Sequence, residues 1–199
     1  MFKCASVLGS LVLLAGTSAF STITWAAGAE ISGFGGGITL DGAGGTHDLF
    51  GGSAAYRLGD NVHLLGEFSY STLASSAFST NSGGVTVTGN ASVNLASFGG
   101  GADYSFGSST SKLRPYLTGA LGLGHFYGSG SGTGSNGVSA SVSVGLTNAL
   151  YTGAGGGIRL YVGKHWGFKP EVRYQRYQSS LIKSNTAVYT VGLFYQFGD

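Results

Sequence analysis

Few residues of this chain have the types and spacing that chemistry requires. Asp41, His47 and Asp48 offer oxygen and imidazole donors to a divalent cation. A glycine-rich stretch carries the same residues because they favour solvated turns, so no metal site is assigned to them. A base for acyl transfer would have to be histidine, but His47, His63, His125 and His165 are scattered, and none stands two residues before a serine as a paired base and nucleophile. Gly33 to Gly37 imitates a phosphate loop without joining a strand to a helix. Cys4 is the only cysteine and follows Lys3, ahead of an apolar run. No enzyme, catalytic residue, metal or cofactor is expected.

What alternates is charge. Lys169, Glu171, Arg173 and Gln175 take every second position, opposite in parity to Trp166, Phe168, Val172 and Tyr174. Period two marks a strand with one polar and one apolar face. Val62, Leu64, Phe68 and Tyr70 oppose His63, Glu67, Ser69 and Ser71 in the same way, with Leu65 the exception. Near the end of the chain Tyr189, Val191, Leu193, Tyr195 and Phe197 oppose Thr190, Gly192 and Gln196. A Lys or Arg turned to lipid at the bilayer midplane costs roughly 2–4 kcal/mol, so in a membrane the charges must point inward. Glu67, Arg114, Arg159, Lys169, Glu171 and Arg173 are then expected to form a packed polar lumen that neutralises its own charge. A soluble lipocalin-like carrier would reverse the faces, and parity alone leaves that arrangement open.

The elements that must position these residues read as eight strands: Glu30 to Leu40, Leu49 to Leu58, Val62 to Leu73, Ser92 to Phe106, Leu113 to Tyr127, Leu146 to Val162, Trp166 to Gln178 and Thr186 to Phe197. Each reaches the ~9–11 residues of a tilted crossing. Their connections alternate in length. Gly59 to Asn61, Gly107 to Lys112 and Gly163 to His165 are short, whereas Ala74 to Ala91 and Gly128 to Gly145 are long and rich in Ser, Gly, Thr and Asn. Short periplasmic turns and longer outer loops are the asymmetry of an outer-membrane barrel. Tyr56, Tyr104, Phe106, Trp166, Phe168, Tyr195 and Phe197 fall near the short-turn rim, and Tyr70, Tyr127, Tyr174 and Tyr189 near the other, as two interfacial belts.

Composition agrees with a single export-directed domain. Over 199 residues the net charge is +2 and 9% of residues are charged, which excludes a polyelectrolyte partner such as nucleic acid. Met1 to Ala29 has a basic start at Lys3, an apolar run from Leu8 to Ala19 and small residues at Ala27 to Ala29. This is the pattern of a cleaved secretory signal, too short in its apolar run to span. The expected division is residues 1–29 as signal and 30–199 as an all-β, eight-stranded, antiparallel up-and-down transmembrane barrel.

Three stretches carry a family resemblance: Arg114-Pro115-Tyr116-Leu117 with Gly119-Ala120-Leu121-Gly122, Gly155-Gly156-Gly157-Ile158-Arg159-Leu160, and Lys169-Pro170-Glu171-Val172-Arg173-Tyr174. Together they resemble the small outer-membrane β-barrel family, the type of the transmembrane domain of outer membrane protein A and of opacity-like surface proteins. The resemblance implies an interior ion-pair network with Lys169 at an Arg position, Glu171 at a Glu position and Glu67 as partner. It also implies a terminal aromatic read by the barrel-assembly machinery, here Phe197, two residues before the chain ends. The expected setting is the bacterial outer membrane, with its lipids as partners. The expected role is structural or surface interaction, with a possible extracellular ligand on the loops Ala74 to Ala91 and Gly128 to Gly145. A narrow channel is the alternative; a lipid-modifying enzyme and a soluble carrier rank lower.

Overall fold

The structure is a computed structural model that describes residues 28–41, 45–82, 84–181 and 183–198. Except for its last two positions, the expected export signal lies outside the described residues. The chain forms β1 (Ala29–Leu40), β2 (Thr46–Arg57), β3 (Val62–Ser82), β4 (Val85–Ser105), β5 (Leu113–Gly134), β6 (Ser139–Tyr161), β7 (Trp166–Gln178) and β8 (Lys183–Gln196). Each strand pairs antiparallel with its sequence neighbour, and β1 closes on β8 from Glu30↔Gln196 to Leu40↔Thr186. The expected eight-stranded ring is present, and the alternating faces are those read from sequence. Glu171, Arg173 and Gln175 are buried inside, while Val172, Tyr174, Leu193 and Tyr195 are exposed outside.

The two long connections are corrected. Ala74 to Ala91 and Gly128 to Gly145 are strand, not loop, apart from tight turns near Gly84 and Gly137. Both glycines hold positive φ, 80° and 81°, which a side chain would strain. The physical reason lies in the same residues that read as loop. Val85 and Val87 alternate with Thr86 and Thr88, and Val142 and Val144 with Ser141 and Ser143. β-branched and hydroxyl residues at period two pair well once a partner strand is beside them. As a result β3 to β6 run 21–23 residues and the other four strands 12–14.

β3 to β6 therefore rise past their neighbours as a four-stranded extension. Pairing of β2 with β3 stops at Leu49↔Ser71, and pairing of β6 with β7 stops at Leu150↔Gln178. The extension stays two-faced. β4 and β5 pair without a register shift up to Val87↔Gly134, so the parity of the lumen residues Leu95 and Phe126 carries upward. On that inner face lie Val87, Val93, Gly128, Gly130 and Gly132; on the outer face lie Thr88, Asn90, Ser92, Ser129 and Ser131. No Asp, Glu, Lys or Arg occurs between Glu67 and Asp103 or between Arg114 and Arg159, so the extension is uncharged.

An outward hydrogen-bonded cluster marks its base. Asn94, 3% exposed, accepts from Tyr70 Oη at 2.9 Å and Thr72 Oγ1 at 3.1 Å, and donates to Ser129 Oγ at 3.0 Å. Below it the outer wall is apolar, with Phe68 against Phe98 and Leu121, Leu123, Leu150 and Val191 exposed. Leu121→Arg, 68% exposed in this band, is expected to cost roughly 2–4 kcal/mol of stability in lipid. Urea titration of the lipid-embedded barrel checks this, and Ser131→Arg on the extension, above the band, should leave the midpoint unchanged.

Candidate functional site

The lumen is filled in layers. At the long-hairpin end Ile38, Leu40, Leu49, Leu73, Leu95, Phe126 and Val188 pack with Tyr151 and Tyr177 into an apolar plug. The tyrosines lie flat on the barrel wall because glycine faces them. A Cβ on Gly122 would come within 2.6 Å of Tyr151 Cε1, and one on Gly124 within 2.6 Å of Tyr177 Cε1. Glycine in these strands thus makes room for large side chains in an interior only wide enough for side chains to fill.

Beneath the plug, Arg173 from β7 joins Glu67 of β3 at 2.5 Å through Nη1 and Glu171 of β7 at 2.6 Å through Nη2. Tyr151 Oη donates to Glu67 at 3.1 Å and Tyr116 Oη to Glu171 at 2.6 Å. Nearer the short turns, Asp103 of β4 takes both Arg159 Nη2 at 2.9 Å and Lys169 Nζ at 3.0 Å. Arg159 also meets Glu30 at 3.4 Å and donates to Ser105 Oγ at 2.8 Å. Gln196 of β8 donates to Glu30 at 3.0 Å. The Tyr116 ring links the two groups, with Arg159 Cζ and Lys169 Nζ each 4.8 Å from its centre. Beside Lys169, Glu171 and Arg173 remains a cavity of about 30 Å³, room for a water or two.

Of the six lumen residues named from sequence, five enter these two groups. Glu67 enters the network as Arg173's partner, and Lys169 pairs with Asp103. Arg114 joins neither; it donates through Nη2 to the Asp60 carbonyl at 2.5 Å and to Asn61 Oδ1 at 3.3 Å, bracing a short turn. Glu30, Asp103 and Tyr116 were missed. Their inward parity was the available signal: Asp103 alternates with Ala102 and Tyr104, and Glu30 with Ile31. With them the interior holds, among the described residues, four carboxylates, Glu30, Glu67, Asp103 and Glu171, and four cations, Arg114, Arg159, Lys169 and Arg173.

The histidines do not converge. His125 faces outward with Nδ1 2.6 Å from Asn148 Oδ1, His63 is sealed inside, and His165 packs on Tyr195 with ring centres 6.0 Å apart. Among the described residues no group of three metal-binding side chains forms.

No protein-family model matches the chain, and no curated protein matches it in sequence. Solved structures match it in fold. Neisserial surface protein A superposes with a TM-score of 0.61 at 16% identity, over 86% of this chain and 98% of its own. The attachment invasion locus protein Ail of Yersinia pestis, in complex with the heparin analogue sucrose octasulfate, gives 0.49 at 19% identity, over 85% and 97%. OprG of Pseudomonas aeruginosa gives 0.48 at 19%, over 87% and 97%. By its closed ring, its inward charges and its apolar outer band, the chain has the fold of the small eight-stranded outer-membrane β-barrels.

Proposed function

We propose that the chain is exported to the bacterial outer membrane and serves there as a sealed, non-enzymatic scaffold whose β3–β6 extension meets the cell's surroundings. The observation that carries this is the pairing of a self-neutralised, plugged lumen with an extension of β3–β6 that continues beyond the last β2–β3 and β6–β7 pairs. The apolar outer band supports residence among membrane lipids, and the short-turn end then faces the periplasm. Phe197, just past β8 with its backbone N donating to Ala29 O at 2.8 Å, offers an aromatic that barrel-assembly machinery would read.

The lumen network is structural in this reading. Each buried charge has a partner, and the plug above it removes the continuous wet path a channel needs. Planar-bilayer recording is expected to show no sustained conductance, and a steady current lost on Glu67→Ala would favour the channel instead. The extension carries no Asp, Glu, Lys or Arg, which favours neutral hydroxyl-rich or apolar partners over a polyanion.

Replacing residues 75–91 and 130–143 by short turns tests the division of labour. The shortened protein is expected to reach the outer membrane and keep a heat-modifiable mobility shift while losing adhesion to cells or matrix. Undiminished adhesion would reject a recognition role for the extension.

A further inference from the structure

The β6 edge of the extension is open. β6 stays paired with β5 out to Thr133↔Ser139, but its pairing with β7 ends at Leu150↔Gln178. From Asn148 upward to Ser139 one side of the strand presents backbone groups to no neighbouring strand. Natural sheets guard such an edge with Lys, Pro, charge or a bulge, because it templates pairing with another chain. Ser139 to Asn148 contains no charge and no proline, and the register shift opposite Phe126 and Tyr127 lies at its base. The edge is unguarded along its outer seven residues.

Those seven residues match themselves. Ser139-Ala140-Ser141-Val142-Ser143-Val144-Gly145 keeps the same alternation of apolar and small polar residues in both directions about Val142, with Ser139 opposite Gly145 at the ends. In an antiparallel pair centred there, Val142 faces Val142, Ser141 faces Ser143, and Ala140 faces Val144. Residues directly opposite share a face, so apolar meets apolar on the inner side and hydroxyl meets hydroxyl on the outer. The absence of charge matters here, since two identical surfaces would otherwise bring like charges together. We propose that β6 of the extension pairs antiparallel with β6 of a second copy of this chain.

The direction of that pairing fixes where the second copy sits. A two-fold axis perpendicular to the sheet keeps both apolar faces on one side and points the two barrels away from each other. The two copies then stand in facing membranes. A parallel pair within one membrane would turn one extension over and set its apolar face beside the partner's hydroxyl face. The inference rests on the outward placement of the extension given above and names its partner: the same protein on another cell.

Reconstituted vesicles test it. Vesicles bearing the protein are expected to cluster, read by light scattering, and the clustering should be insensitive to salt. Ser141→Lys with Ser143→Lys sets lysine against lysine across the pair and should abolish clustering, while Ser141→Glu with Ser143→Glu vesicles mixed with the lysine vesicles should restore it. That rescue separates lost pairing from lost folding. In a Cys4→Ser background, Val142→Cys should cross-link to itself between vesicles under mild oxidation. Val144→Cys should not, because it faces Ala140 and lies roughly 13 Å from its own copy, beyond the ~7 Å reach of a disulfide. Clustering that survives the lysine variant, or cross-linking as strong at 144 as at 142, overturns the proposal. Wild-type vesicles that adhere to cells or matrix but ignore one another overturn homotypic pairing and leave surface recognition standing; vesicles that do neither overturn both.

Discussion

Arg173→Ala is expected to cost the folded barrel about 3–5 kcal/mol, the usual penalty for stranding buried charge. The guanidinium is shared by Glu67 and Glu171, whose side chains are 10% and 8% exposed. Without it two carboxylates face one another beneath an apolar plug. They keep only the tyrosine hydroxyls of Tyr151 and Tyr116 as donors. The loss belongs to the broken set and not to the ion pairs as such. Arg173→Met combined with Glu67→Gln and Glu171→Gln removes every charge at once and should return stability to within about 1–2 kcal/mol of the parent. Urea unfolding in lipid vesicles, followed by the fluorescence of Trp166 at the barrel rim, measures both. A single variant as stable as the parent would show that water reaches and solvates these carboxylates.

Tyr177→Ala should be nearly as damaging, about 3–5 kcal/mol by the measure of large aromatic truncations in cores. Its ring is 1% exposed, meets Phe126 edge-on at 5.7 Å and Tyr151 at 5.4 Å, and its hydroxyl lies 3.1 Å from Ser97 Oγ. Gly124 is the other half of this contact. An added Cβ there would meet Tyr177 Cε1 at 2.6 Å and Leu95 Cδ1 at 3.1 Å, both side-chain atoms. Gly124→Leu alone therefore overpacks the lumen, costing about 1–3 kcal/mol. In the double variant the new leucine occupies the vacated ring site, and at least half of the tyrosine loss should return. Simple addition of the two losses would mean that wall and ring are not complementary at all.

Strand parity made most of the barrel legible in the chain itself. Lys169, Glu171 and Arg173 could only be inside if Phe168, Val172 and Tyr174 met lipid, and one such strand fixes the sense of its neighbours. Partners across the lumen were not legible. Asp103 and Lys169 belong to β4 and β7, and which levels of those strands face one another depends on the stagger of the whole ring. That Glu67 meets Arg173 and Asp103 meets Lys169 is set by this stagger. The extension was missed for a different reason. Glycine and serine are weak strand formers alone, and their alternation in Gly128 to Gly134 becomes a strand because Val85 to Val93 lies alongside. Composition there suited a loop while periodicity suited a sheet.

The seam between β1 and β8 sets an order of assembly. Glu30 and Gln196 meet across nearly the whole described chain, whereas each other pairing joins strands adjacent in sequence. Local hairpins close short loops and form early; the last pairing must bring distant ends together. On the β1 side that last pairing has little side-chain surface to offer, since Gly33, Gly35, Gly36 and Gly37 make up a third of the strand, four of its 12 residues. The Gln196 contact to Glu30 joins β8 to β1 and can form only as the ring shuts. Loop-closure entropy therefore predicts ring closure, and not strand formation, as the slow step for such a chain.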